Sequence, residues 1–193
     1  MVFIVIFSLF GTFSRADSCP QVDNCQNLKA YEQIEKALTE RNFKSQHACA
    51  KYQVCRIESE ASKDVMDHDL RHVAHTYLGL AALEKNKPKV AISHLKESIT
   101  GPVKTMPIAS SFGPRTELIH EFELKNNLEM VRFYFDKIQD FWKIESAQKA
   151  IEIFKKLISD KSTKLFYPKK HSHWFSQCRS DKWHEEHERN LKE

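Results

Sequence analysis

The stretch His75-Thr76-Tyr77-Leu78-Gly79-Leu80-Ala81-Ala82-Leu83-Glu84-Lys85-Asn86-Lys87-Pro88-Lys89-Val90-Ala91-Ile92-Ser93-His94-Leu95 reads as two helices and the turn between them. Val73, Tyr77 and Leu80 recur at three- and four-residue spacing, the period of one helix face. Asn86-Lys87-Pro88 interrupts the pattern. Proline lacks an N–H and has its φ preset, so Pro88 suits the first position of a second helix, which carries Ala91, Ile92, Leu95 and Ser98. The pattern returns without a gap forty positions later: Thr116, Leu118 and Phe122, the turn Lys125-Asn126-Asn127-Leu128, then Val131 and Phe135. A looser copy lies forty-five positions earlier, with Asn42-Phe43-Lys44 as its turn and Ala50 beyond it. One helical hairpin cannot cover its own apolar face, so such units must stack on their neighbours.

Working outward, Leu28, Tyr31, Ile34 and Leu38 mark a helix that Arg41-Asn42 ends, and Ala48, Tyr52 and Cys55 mark the next. A longer helix is expected from about Ser62 to Glu84, with Leu70 on the same apolar face. Leu128, Val131, Phe135, Ile138 and Trp142 form one late helix; Ala147, Ile151, Phe154 and Ile158 form another. Gly101, Pro102, Pro107, Gly113 and Pro114 cluster in a long loop inside the domain, since the helical period resumes after it. Only four glycines occur in 193 residues, too few for a sandwich of many tight β-turns. The expected fold is all-α, antiparallel helical hairpins stacked as a short solenoid over residues 17–159. A polar tail with scattered histidines and aromatics is expected at 160–193.

Leu78-Gly79, Ala82, Ala91 and Leu95 resemble the tetratricopeptide repeat, which has Leu-Gly, a residue three later, then Ala and a large apolar residue on the second helix. The likeness is good over 70–100 and fair over 115–142. It departs where His75 stands for the usual Trp, Ser98 for Ala, Ile119 for Gly and Val131 for Ala. The chain is also similar to bacterial repeat proteins that share the Ser111-Phe112-Gly113-Pro114 loop and a helix ending Phe141-Trp142. The resemblance implies a non-catalytic scaffold whose groove takes an apolar or amphipathic protein segment. It would turn Val73, Thr76, Leu80 and Leu83 toward that groove. Ser111 and Phe112 would add a loop contact, since long loops in compact domains often bind.

Residues 2 to 13 form an apolar run too short for a bilayer, which needs about 20 residues. Ser14-Arg15-Ala16 follows with small residues at its ends, so residues 1–16 read as a secretory signal peptide cleaved after Ala16, although no Lys or Arg precedes the apolar run. An uncleaved membrane anchor is the rival reading. Cleavage leaves no membrane span and predicts a secreted or periplasmic protein. The absence of any Asn-x-Ser/Thr sequon leans toward a bacterial envelope. All five cysteines lie beyond the cut. In an oxidising compartment they should pair. Cys49 and Cys55 share a helix; their Cα atoms would stand about 9 Å apart, beyond the roughly 7 Å that a bridge spans. They are therefore expected to reach Cys19 and Cys25, in an order the spacing leaves open, with Cys178 left over.

The other chemistry is sparse. Asp64, His68, His72 and His75 share one helix face, and imidazole with carboxylate suits zinc or a similar ion. A metal-binding protein or metal-dependent enzyme is thus the alternative to the scaffold. His171, His173, His184, His187 and Cys178 offer a weaker chelating set in the tail. The chain has no His-Glu-x-x-His motif, no nucleophile elbow and no Gly-rich phosphate loop, so no catalytic residue and no cofactor is expected. The net charge of +4 is mild and unclustered, which argues against nucleic acid as a partner.

Overall fold

A computed structural model describes Cys19, Val22, Asp23 and Cys25 and residues 27–60, 64–100 and 114–160. The expected signal segment 1–16, the loop residues Ser111 and Phe112, and the tail with Cys178 and its histidines lie outside these residues. The described residues are all-helical, with no strand among them. Seven helices follow in order: α1 (Asn27–Thr39), α2 (His47–Glu60), α3 (Val65–Glu84), α4 (Pro88–Thr100), α5 (Glu117–Leu124), α6 (Leu128–Phe141) and α7 (Glu145–Asp160). The third starts slightly later than its periodicity suggests, because Asp64 caps it by accepting a hydrogen bond from the Met66 N–H at 2.9 Å.

The same turn ends α1, α3 and α5. Arg41, Asn86 and Asn126 take positive φ of 53°, 54° and 57°. After each, the next N–H reaches back five residues: Asn42 to the Ala37 carbonyl, Lys87 to Ala82 and Asn127 to Phe122, each at 2.8 Å. A second bond runs from each positive-φ residue to the carbonyl three back. This pair of bonds satisfies carbonyls that a helix end would otherwise orphan. The three turns stand 45 and 40 positions apart, the two offsets seen in the sequence. Asn tolerates the left-handed region better than most residues; Arg41 does so without that advantage.

Every pair of consecutive helices except α4 and α5 is in close contact, and α3 also packs on α1 and α5, α4 on α6. α3 is thus the central rod, touched by α1, α2, α4 and α5. Its sequence fits this: Leu70, Val73, Ala74, Tyr77, Leu78, Leu80 and Ala81 make one broad buried apolar face, and His68, His72, His75 and Thr76 are buried on the opposite side. Polar side chains buried on that opposite side need hydrogen-bond partners from the neighbouring elements. The register forty positions apart is kept in the core. Leu78, Ala82, Ala91 and Leu95 are buried, and so are Leu118, Phe122, Val131 and Phe135. Gly79 is where α3 meets both neighbours. A Cβ there would lie 2.4 Å from Leu118 Cδ2 and 3.4 Å from His94 Cβ.

Two disulfides tie the N-terminal segment to α2. Cys19 bonds Cys55 and Cys25 bonds Cys49, with Cα atoms 5.8 and 5.5 Å apart. By loop-closure entropy each stabilises the fold by about 3–4 kcal/mol. Such bonds are compatible with an extracellular or periplasmic protein. Among the described residues no helix is long and apolar enough to cross a membrane.

Candidate functional site

The expected groove is corrected by the position of α3. Val73, Thr76 and Leu80 are buried, and Leu83 is partly buried against the core. Four helices contact α3, so these side chains are taken up by the core. Thr76 turns its hydroxyl to its own helix, donating to the His72 carbonyl at 2.9 Å.

The four residues proposed from spacing as metal ligands are not gathered as a ligand set. Among the described residues no group of three or more His, Cys, Asp or Glu side chains is placed to hold a metal ion. Asp64 is the exposed cap of α3, and His68 is buried. His72 has both ring nitrogens engaged. Its Nδ1 donates to the Ser98 carbonyl, and its Nε2 accepts from the Arg115 N–H, both at 2.9 Å. Burial drives its pKa down to about 4, so it stays neutral at ordinary pH. Ser98 and Arg115 flank the long loop, so His72 pins the chain on both sides of it.

His75 joins a second set. Its Nε2 lies 3.3 Å from Glu58 Oε1, and its Nδ1 lies 3.0 Å from Nδ1 of His94 on α4. Burial first, then the charge of Arg71, pushes the His75 pKa down to about 2. A neutral imidazole carries one N–H. The Glu58 carboxylate accepts hydrogen bonds, so the His75 proton sits on Nε2 and its Nδ1 is the acceptor. His94 must then donate from Nδ1, which leaves its Nε2 with a lone pair. Arg71 anchors the set through Glu58 Oε1 at 3.2 Å and Glu97 Oε2 at 2.7 Å, with a further bond to the Glu97 carbonyl.

This chain of groups borders a cleft of about 440 Å³ between α2 and α4. Lys51, Val54, Cys55 and Glu58 of α2 line it, with Leu78 of α3 and His94 of α4. Burial and then His47 hold His94 below the usual histidine pKa; Lys51 lowers it further and Glu97 opposes them.

No protein-family model matches the chain, and no curated protein or solved structure is significantly similar to it.

Two other polar centres went unread in the sequence. Arg56 holds Asp67 with both arms of its guanidinium, at 2.6 and 3.1 Å, and donates to Gln53 Oε1 at 3.0 Å. Gln53 passes the link on to the Cys25 carbonyl at 2.6 Å, so α3, α2 and one disulfide form a single network. Arg115 lies between Glu35 Oε1 at 3.0 Å and Glu117 Oε1 at 3.1 Å. The Tyr134 hydroxyl donates to the Arg115 carbonyl at 2.6 Å. Burial, and secondarily Glu35, pushes nearby Tyr31 up to about 12. Arg115 and Tyr134 stand forty positions beyond His75 and His94. That correspondence is the one signal by which sequence could have flagged both pairs.

Proposed function

We propose that the protein is an exported, disulfide-held scaffold of tetratricopeptide type, which binds a protein or peptide segment and catalyses no reaction. The observation that carries this reading is the threefold turn. One backbone device recurs at offsets of 45 and 40, and the helices it joins pack as α1 on α3, α3 on α5 and α4 on α6. Stacked hairpins of this kind present a long surface of repeated geometry, which suits an extended or helical partner segment. The two disulfides support an oxidising compartment, in agreement with a leader peptide at residues 1–16.

With Val73, Thr76 and Leu80 inside the core, the surface for a partner moves to the end bearing the turns. Arg41 of the first turn pairs with Glu121 of α5 at 2.9 Å, which brings the first turn beside the end of α5. Leu124 and Val90 are the exposed large apolar side chains among the described residues, at 65% and 45%. The test is site-specific photocrosslinking in cells that export the protein, with the reactive group at Leu124, at Val90, or at the exposed Lys149 of α7. A discrete adduct from the first two sites and none from the third is expected. Equal labelling at all three, or none while the protein is exported and folded, overturns the scaffold. Intact mass of the exported chain tests the leader: a mass without residues 1–16 is expected, and a full-length mass removes that part of the reading.

A further inference from the structure

The cleft between α2 and α4 has no part in the scaffold reading, and its chemistry is specific. It is open on one side and has room for a small molecule, at about 440 Å³. Val54 and Leu78 supply apolar wall, and Lys51 supplies a cation. The carboxylate that reaches it, Glu58, is already held by Arg71 and His75. Among the described residues, His94 Nε2 makes no hydrogen bond, and in the neutral ring the Glu58–His75–His94 chain puts the proton on Nδ1 and leaves Nε2 a lone pair. We propose that this cleft binds a small organic carboxylate with a short apolar body, and that one proton is taken up at His94 Nε2 as it binds.

The charge pattern selects the ligand. A cationic ligand would meet Lys51 unpaired. A neutral apolar molecule would use Val54 and Leu78 but leave both polar groups without partners. A carboxylate pairs with Lys51 and offers its second oxygen to an Nε2–H. For that bond His94 must gain a proton: ligand anion, neutral imidazole and one proton give a carboxylate bound to imidazolium, with no covalent bond to carbon made or broken. The proton on Nδ1 stays in place, so the bond to His75 survives. The groups facing His94 are His75 and Arg71 from α3, His47, Lys51 and Glu58 from α2, and Glu97 on its own helix. A bound anion beside Lys51 cancels part of the positive field that opposes His94 protonation, which couples binding to proton uptake.

The experiment uses the full chain with its disulfides intact and hexanoate as probe, with hexylamine and hexanol as controls. The His94 imidazole is titrated by NMR with and without each compound. Hexanoate should raise the His94 pKa by about one unit, and calorimetry in buffers of different ionisation enthalpy should show proton uptake. Lys51→Ala should weaken hexanoate about tenfold, and His94→Gln should abolish the proton uptake, with both variants keeping the native helical signal. The proposal is overturned if His94 titrates unchanged with hexanoate up to about 10 mM, beyond the millimolar range of weak sites. It is also overturned if hexanol binds as well as hexanoate, or if hexylamine binds better. These outcomes are independent of the crosslinking result, so the cleft and the scaffold stand or fall separately.

Discussion

The helix pair α3–α4 and its counterpart α5–α6 share a turn, a register and buried positions, yet they are filled with different chemistry. In the first, Gly79, Ala82 and Ala91 are small, and the polar pair is two histidines that lead to a cleft. In the second, the same positions are Ile119, Phe122 and Val131, and the polar pair is Arg115 with Tyr134. There the core is aromatic: Phe135 stacks on Phe154 with ring centroids 5.1 Å apart, and Tyr134 meets Phe135 edge-on at 5.8 Å. The lesson is that the turn and the buried register hold the backbone, while the residues between the rods are free to specialise. The small-residue pair contains the helix that four others contact; the large-residue pair packs on α7 through its aromatic rings.

The difference can be broken most forcefully at equivalent core positions. Phe135→Ala should cost about 4 kcal/mol and Leu95→Ala about 3, since the larger side chain leaves the larger cavity. Urea unfolding of both variants measures this; equal losses would mean the aromatic stack adds nothing. Acid comes next. His72 has a folded pKa of about 4 against 6.5 unfolded, so the unfolded chain binds the proton more readily. Stability is then full above pH 6.5 and falls as the pH drops toward 4, by up to about 3 kcal/mol. His72→Phe should flatten that slope while lowering stability at neutral pH, because Ser98 and Arg115 lose their partner; thermal melts across pH check both. Tyr134→Phe deletes one buried bond and should cost about 1 kcal/mol, whereas loss of several would show that the Arg115 centre collapses with it. The smallest effect is expected at Gly79→Ala. Better helix propensity offsets about 1 kcal/mol of the crowding against Leu118. The net should be a slight destabilisation, and a stabilised variant would show that α5 yields easily.

Much of the fold was legible because it rests on local signals. The period of Val73, Tyr77 and Leu80, the break at Asn86-Lys87-Pro88 and its echoes marked the helices and their turns. Gly79 matched the repeat pattern, and the structure shows α4 and α5 both approaching it. Cysteine spacing excluded a bond within α2 but left the partners open; the observed order joins the outer pair, Cys19 with Cys55, and the inner pair, Cys25 with Cys49. The candidate site was far less legible. Thr76 and Leu80 looked like groove residues on a template, but a template does not say that four helices contact α3 and that both residues are buried there. His68, His72 and His75 looked like ligands on one face; His72 and His75, however, are taken up by separate partners, His72 by Ser98 and Arg115, His75 by His94 and Glu58.

What the amino-acid order determined by itself was the set of rods, the places where they stop and the cysteines that staple them, since periodicity, capping and left-handed turns depend on neighbours a few residues apart. What only the tertiary structure decided was which polar groups meet. Arg56 with Asp67, His75 with His94 and Arg115 with Glu35 are joined across helices, and a rotation of one rod by a fraction of a turn would part them. Their proton positions, the cleft beside Lys51 and the closing of the expected groove all follow from that packing.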